Sequence, residues 1–330
     1  MTFFAQLVRC PPARRGSLML LVVVVIALAA PLLAPSDPWR VDPAARLLPP
    51  LSRTTADGTD VTNGAAATDI AQAATVVAAS PPVGPTGRSV SATAPAATHR
   101  PGRPATTLHL LGTDSIGRDV LSRLIYGSRV SLTVGFAAMV LSAIFGSLVG
   151  VVSGYFGGIV ESLTGWLVDV QLSFPFLLLA IFLLGALGGG TLAVILILAL
   201  ATWVNYARIV RAQVLSIKNQ GYVEAAHASG AGVGRVLFVH ILPNTLAPIC
   251  VVASFSMAQA ILTEAGLSFL GVGLDPSTPS WGTMLNDGRD YLLTAWWIST
   301  MPGIAIGFTV LGVMLFGEGL RELLDPRGMR

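Results

Sequence analysis

Apolar and polar residues alternate along the chain in long blocks. Six runs are long and apolar enough to suggest membrane spans: residues 18–34, 130–155, 163–187, 191–206, 247–271 and 299–320. A hydrocarbon core about 30 Å thick takes roughly 20 helical residues, so the first run is near the minimum. It follows Arg9, Arg14 and Arg15 and also has the form of a signal peptide. No clean A-x-A boundary closes it, and helix parity favours a retained span. Pro175 falls inside the third run and predicts a kink. Gly188-Gly189-Gly190 predicts a tight turn into the fourth.

Three polar stretches separate the runs. Residues 35–110 form a loop whose part from Ser52 to Pro104 is rich in Ala, Thr, Pro, Gly and Ser. Such a stretch cannot bury enough apolar area to offset the entropy of ordering, so an irregular insertion is expected over about 52–104. In His109–Arg129, Asp114 or Ser115 can cap a helix from near Ile116. Val120, Leu121, Leu124 and Ile125 give that helix an apolar face against Arg118, Asp119, Ser122 and Arg123, the pattern of an interfacial helix over 111–129. The third stretch, 208–246, contains Tyr222–Asn244. It reads as a short Ala-rich helix, a Gly230-Ala231-Gly232 break, and a second amphipathic helix that Pro243 stops.

Composition fixes the class. Of 330 residues, 53% are hydrophobic and only 11% charged, and the mean hydropathy is +0.72. A soluble domain carries about 25% charge, so an all-α integral membrane protein is expected. Basic residues mark one side: Arg9, Arg14 and Arg15, then Arg208, Arg211, Lys218 and Arg235, then Arg321, Arg327 and Arg330. The positive-inside rule puts these in the cytoplasm, with the tails 1–17 and 323–330. The six tryptophans (Trp39, Trp166, Trp203, Trp281, Trp296 and Trp297) fall near span ends, where interfacial aromatic belts are expected.

Candidate chemistry is sparse. Cys10 and Cys250 have no metal or redox spacing, and the four histidines form no ligand pattern. No catalytic, cofactor or metal site is expected, and no nucleic-acid partner. Gly146, Gly150 and Gly154 recur every four residues, which suits close helix approach in lipid. Asp169 sits within the third run. Its carboxylate either lines a pathway or bonds to a neighbouring helix or the interface; Glu264 is the other candidate buried ionisable group. Lys218 is the only lysine and follows no glycine-rich loop, so no P-loop is present in the chain.

Glu224-Ala225-Ala226, Gly230 and Leu242-Pro243 resemble the EAA signature of the membrane subunits of bacterial ABC importers. His240, two before Leu242, gives HILPN, the form of the dipeptide/oligopeptide/nickel group. The stretches 111–132, 154–158, 265–282, 294–297, Pro302-Gly303 and 319–327 resemble that group's C-type subunit; the 52–104 insertion departs from it. The resemblance implies a type I importer permease fold with six spans in the inner membrane. It also implies a second homologous permease subunit, two ATPase subunits holding ATP and Mg, and an extracytoplasmic substrate-binding protein. Tyr222, Glu224, Ala225, Ala226, Gly230, His240, Leu242, Pro243 and Asn244 would form the coupling loop, and the cargo would be di- or oligopeptides, with nickel or haem as alternatives. An ATP-independent transporter or channel would instead need paired intramembrane charges, and a membrane enzyme a nucleophile or metal motif.

Overall fold

The computed structural model describes residues 10–54 and 107–324; most of the insertion, the first tail residues and 325–330 lie outside them. The elements are α1 (Pro11–Leu28), α2 (Ala30–Leu33), β1 (Ser52–Thr54), β2 (Thr107–His109), α3 (Val120–Phe156), α4 (Gly158–Leu172) and α5 (Phe176–Leu187). After these come α6 (Thr191–Lys218), α7 (Gly221–Ala228), α8 (Val233–Phe269), α9 (Trp281–Gly288) and α10 (Trp297–Leu324). Five of the helices (α1, α3, α6, α8 and α10) are long and apolar enough to cross a membrane, and α4 with α5 makes a sixth if that bent pair is one span.

The tightest packing joins α3 to α6. A Cβ on Gly146 would lie 2.3 Å from the Trp203 carbonyl oxygen, and one on Gly150 2.7 Å from that of Ala207. One on Gly154 would lie 2.9 Å from the Val214 Cβ. The three glycines therefore face α6 and let the backbones touch. Ser142 adds hydrogen bonds across the seam to Thr202 Oγ1 (2.6 Å) and the Ala199 carbonyl (3.2 Å). In lipid, where apolar burial drives little association, such contacts hold helices together.

Helix α1 runs antiparallel along α10. Ala13 meets Gly319, Gly16 meets Phe316 and Gly312, and Met19 meets Gly312. The Cys10 thiol donates to Glu322 Oε2 at 3.0 Å. Both ends of the described chain thus lie on one face of the bundle. The core between them is apolar: Val23, Ala258, Ile261, Trp281, Ile306 and Val313 form one buried cluster. Glu264 is buried beside it and accepts hydrogen bonds from Ser131 (3.3 Å), Ser268 (2.9 Å) and Ser280 (3.1 Å).

Several elements differ from the sequence reading. Pro175 breaks the third run instead of kinking it, and α4 and α5 meet at 88°. Proline drives the preceding residue out of the helical region, and Ser173 ends α4 by bonding the Asp169 carbonyl through both its amide (3.0 Å) and its hydroxyl (2.7 Å). Pro243 does not stop the second elbow helix. It stands at the start of the regular α-helical part of α8, after a π-helical segment at Val236–Ile241. A proline mid-helix removes one amide and crowds the carbonyl four residues back, and a wider π turn absorbs both. Span four runs past Tyr206 to Lys218, so much of the 208–246 gap is a continuation of α6.

No separate interfacial helix occupies 111–129. Gly117, at φ +83°, cannot continue a helix, and the chain turns over 113–118 before α3 starts at Val120. Asp119 caps α3 by accepting from the Ser122 amide at 2.8 Å. The face expected to be polar is buried. Asp114 accepts from Arg118 Nε (2.6 Å) and Arg123 Nη1 (2.8 Å), and Asp287 from Arg118 Nη2 (2.9 Å) and Arg123 Nη1 (2.8 Å). Residues 52–54, where the irregular insertion is expected to begin, are a strand paired antiparallel to 107–109. The strands are held to α3 by His109, which bonds Asp119 at 2.9 Å and Thr54 at 3.2 Å. Of the six tryptophans, Trp203, Trp281 and Trp297 are buried and spend their indole N–H on Gln171, Leu124 and Thr113. They are core groups, not belt residues.

Two outcomes test this packing. Gly150→Leu should lower stability by about 1–3 kcal/mol or more through overpacking, read as a fall in the thermal midpoint of the purified protein in detergent. Gly307→Ala, whose Cβ would meet nothing within 4 Å, should leave it unchanged within about 0.5 kcal/mol. Asp114→Asn leaves two buried cations on one carboxylate and should cost about 3–5 kcal/mol. Asp287→Asn, at a side chain 27% exposed, should cost less in the same melt.

Candidate functional site

The elbow is built on a buried apolar foot. Val223 is the one buried residue of α7, and it packs with Val151 of α3, Val210, Val214 and Ile217 of α6, and Val236 and Ile241 of α8. The remainder of α7 points outward: Tyr222, Glu224, Ala225, His227 and Ala228 are exposed and Ala226 half-buried. The exposed face is thus broad, with the small Ala225 and Ala228 between the rings of Tyr222 and His227, and with one carboxylate, Glu224, in the first turn of the helix. Among the described residues that carboxylate takes part in no ion pair or hydrogen bond.

The end of α7 is set by its backbone. The Ala231 amide bonds the Ala226 carbonyl at 3.0 Å and the Gly230 amide that of His227 at 2.9 Å, the pair that defines a Schellman end. Gly230 holds the left-handed position, φ +78°, and a Cβ there would touch nothing within 4 Å. Glycine is favoured at this point by backbone conformation and not by space.

Three of the expected site residues come together on the second arm. Tyr222 and His240 place their rings 6.4 Å apart, and Asn244 Nδ2 approaches Tyr222 Oη at 3.4 Å. Asn244 Nδ2 also donates to the His240 carbonyl at 2.6 Å, supplying a bond to a carbonyl at the irregular π segment. Leu242 packs against the apolar foot, and Pro243 is exposed at the start of the regular helix. Three bracing groups carried no motif to reveal them. Lys218 donates to the Gly154 carbonyl at 3.1 Å, where a cation suits the end of α3. Tyr155 stacks on His227 with rings 6.3 Å apart. Arg211 pairs with Glu161, tying α6 to α4. All three depend on distant residues meeting in space.

The intramembrane candidates separate. Gly146, Gly150 and Gly154 lie in the α3–α6 seam. Asp169 is exposed on α4, and its carboxylate has no bonded partner among the described residues. The described residues contain no group of three metal-ligating side chains. Between α6 and α8 runs a groove formed by two adjoining cavities of about 440 and 540 Å³ that share Ile209 and Val252. Polar side chains line it: Asn205, Arg208 and Gln213 from α6, and Asn244, Ser256 and Gln259 from α8.

Known proteins share this arrangement of sequence. The family described as binding-protein-dependent transport system inner membrane component matches residues 146–329, which includes the elbow and the groove. The dipeptide transport system permease protein DppC of Escherichia coli (strain K12) is 49% identical over 219 residues, 66% of this chain and 73% of that protein. The di/tripeptide transport system permease protein DppC of Pseudomonas aeruginosa is 44% identical over 218 residues, 66% of this chain and 72% of that protein. The dipeptide transport system permease protein DppC of Haemophilus influenzae is 36% identical over 312 residues, 94% of this chain and 89% of that protein. The chain belongs to the inner-membrane components of binding-protein-dependent transport systems, as a multi-pass permease subunit of an ABC importer of the dipeptide/oligopeptide group.

Proposed function

We propose that this permease imports di- or oligopeptides and that α7 is the coupling helix through which separate ATPase subunits drive it. The observation that carries the coupling assignment is the rigid seat of α7. Its one buried side chain, Val223, packs among three long helices, while its outer face is open. A helix so mounted would pass a displacement on to the ends of α3, α6 and α8 through that cluster. Ala225 and Ala228 permit close approach by a partner groove, and Glu224 offers a carboxylate to a basic or hydroxyl group there. The peptide reading rests on what the relatives are named for.

In this reading the chain pairs with a second, homologous permease subunit to enclose the pathway. Two ATPases bind ATP and Mg beneath it and carry out hydrolysis; this chain supplies no catalytic, cofactor or metal site. A substrate-binding protein delivers cargo from the far side. The elbow and both chain ends face the cytoplasm. The basic residues near these segments favour that side, and the antiparallel contact of α1 with α10 agrees with six crossings. Closure of the ATPases on ATP favours one permease conformation over another, so transport follows from their differential affinity for the two.

Substitutions at the elbow separate conformation from contact. In the complete reconstituted complex, Gly230→Val should abolish peptide-stimulated uptake while ATPase activity continues uncoupled, because a β-branched side chain is strained at φ +78°. Gly230→Asn should keep a substantial part of the uptake, since asparagine tolerates the left-handed position. Glu224→Lys should reduce uptake about tenfold or more with the protein still inserted, by placing like charge against a basic groove. Normal transport in Gly230→Val and Glu224→Lys would remove α7 from the coupling path. Uptake of labelled peptides, Ni²⁺ and haem by the same complex with its receptor tests the cargo.

A further inference from the structure

The α6–α8 groove contains a cation that the fold itself leaves without a partner. Arg208 is exposed on α6 and forms no ion pair among the described residues, whereas Arg211, one turn on, is matched by Glu161. Helix α6 has 28 residues, about 42 Å at 1.5 Å per residue, against a hydrocarbon core of about 30 Å. Arg208 lies about 15 Å from its Lys218 end. The helix is thus longer than a span needs, and its apolar run ends at Tyr206, two residues before Arg208. An unpaired cation at that boundary faces water or a partner, not lipid tails.

The surroundings indicate which. Arg208 lines the 440 Å³ cavity with Asn205, Ser256 and Gln259. These are neutral hydrogen-bonding groups drawn from two helices that converge on one side of the arginine. A lipid-facing wall at this depth would be apolar. The cavity adjoins the one lined by Asn244 and Arg321, so the groove leads to the elbow end of the bundle. Among the described residues, no carboxylate lines either cavity. The groove therefore complements an anion that is also rich in amides.

We propose that Arg208 is a specificity-determining residue of the pathway, receiving the terminal carboxylate of a peptide in transit, with Asn205, Ser256 and Gln259 bonding its adjacent amides. This rests on the peptide reading above and adds a site to it. The planar guanidinium can take a carboxylate through two parallel hydrogen bonds, a geometry that lysine lacks. Asp169, the charged candidate visible in the sequence, lines neither cavity.

The test reads occupancy of the groove without the receptor, which could itself select for the carboxylate. The complete permease–ATPase complex, with Cys10→Ser, Cys250→Ser and Phe255→Cys, a wall position of the same cavity that bonds nothing in the proposed site, is placed in inside-out vesicles and labelled with a maleimide. Trialanine should slow the labelling and trialanine amide should not. In Arg208→Gln the trialanine concentration for half-protection should rise about tenfold, the loss of one charge-assisted interaction. Arg208→Lys should fall between. Equal protection by acid and amide, protection unchanged in Arg208→Gln, or no protection at millimolar trialanine would each overturn the proposal. So would a change of labelling in Arg208→Gln that appears without peptide and ignores its addition, the result expected if the arginine holds a lipid phosphate. Uptake by the same complex with its receptor is scored separately. Protection without peptide uptake would leave the carboxylate site standing and remove the peptide reading.

Discussion

The architecture depends on the backbone contact between α3 and α6. Three glycines on α3 meet Trp203, Ala207 and Val214 at distances that no side chain would permit. At its elbow end this seam is closed by Lys218 on the Gly154 carbonyl and by the apolar foot into which Val223 inserts. The opposite face of α6 carries Asn205 and Arg208 into the groove. In the proposed function a push on α7 would reach the helix that lines the proposed pathway, and the close backbone contact at the glycine seam would carry α3 with α6. Side chains at those three positions would put flexible rotamers between the two helices and blunt the lever.

The chain's gross plan was legible because lipid imposes it. Apolar runs long enough to span, basic residues on one side and glycines at a spacing of four all follow from the bilayer as solvent. What escaped was set by local backbone chemistry. Pro175 and Pro243 are the same residue type in similar apolar surroundings, yet one breaks the chain through 88° and the other sits inside a continuous helix after a π segment. At Pro175, Ser173 captures the last carbonyls of α4 and makes a clean end. At Pro243, Asn244 bonds the His240 carbonyl and the helix continues. Only the neighbours decide, and a rule for proline alone cannot separate the cases.

The segment 109–129 shows a different reason for misreading. Arg118 and Arg123 look like the wet face of a surface helix because charged residues normally face water. Here Asp287, remote in sequence, joins Asp114 to neutralise both. Pairing across such a separation leaves no periodic mark. The same holds for Trp203, Trp281 and Trp297, which mimic belt residues by position and are core residues by hydrogen bonding. The end of the bundle remote from the elbow is consequently a cross-bonded cap tied to α3, α9 and α10. Arg123 Nη2 remains buried without a bonded partner among the described residues.

Motif and structure meet differently at Gly230 and Arg208. Gly230 belongs to a recognisable signature, and its geometry gives the physical reason: a left-handed residue that closes α7. Arg208 lies outside the EAA signature and reads, in sequence, as one more cation on the inner side. Its environment changes that reading. A positive-inside arginine needs only the interface, whereas Arg208 stands beside Asn205, Ser256 and Gln259 in an opening between helices, with no counter-charge among the described residues. In the two proposals the elbow receives force and the groove receives charge, and α6 is the helix that belongs to both. If ATP closure displaces α6 as proposed, a cargo anion held at Arg208 would be released or gripped by that same displacement, which would tie the step of letting go to the step of energy input.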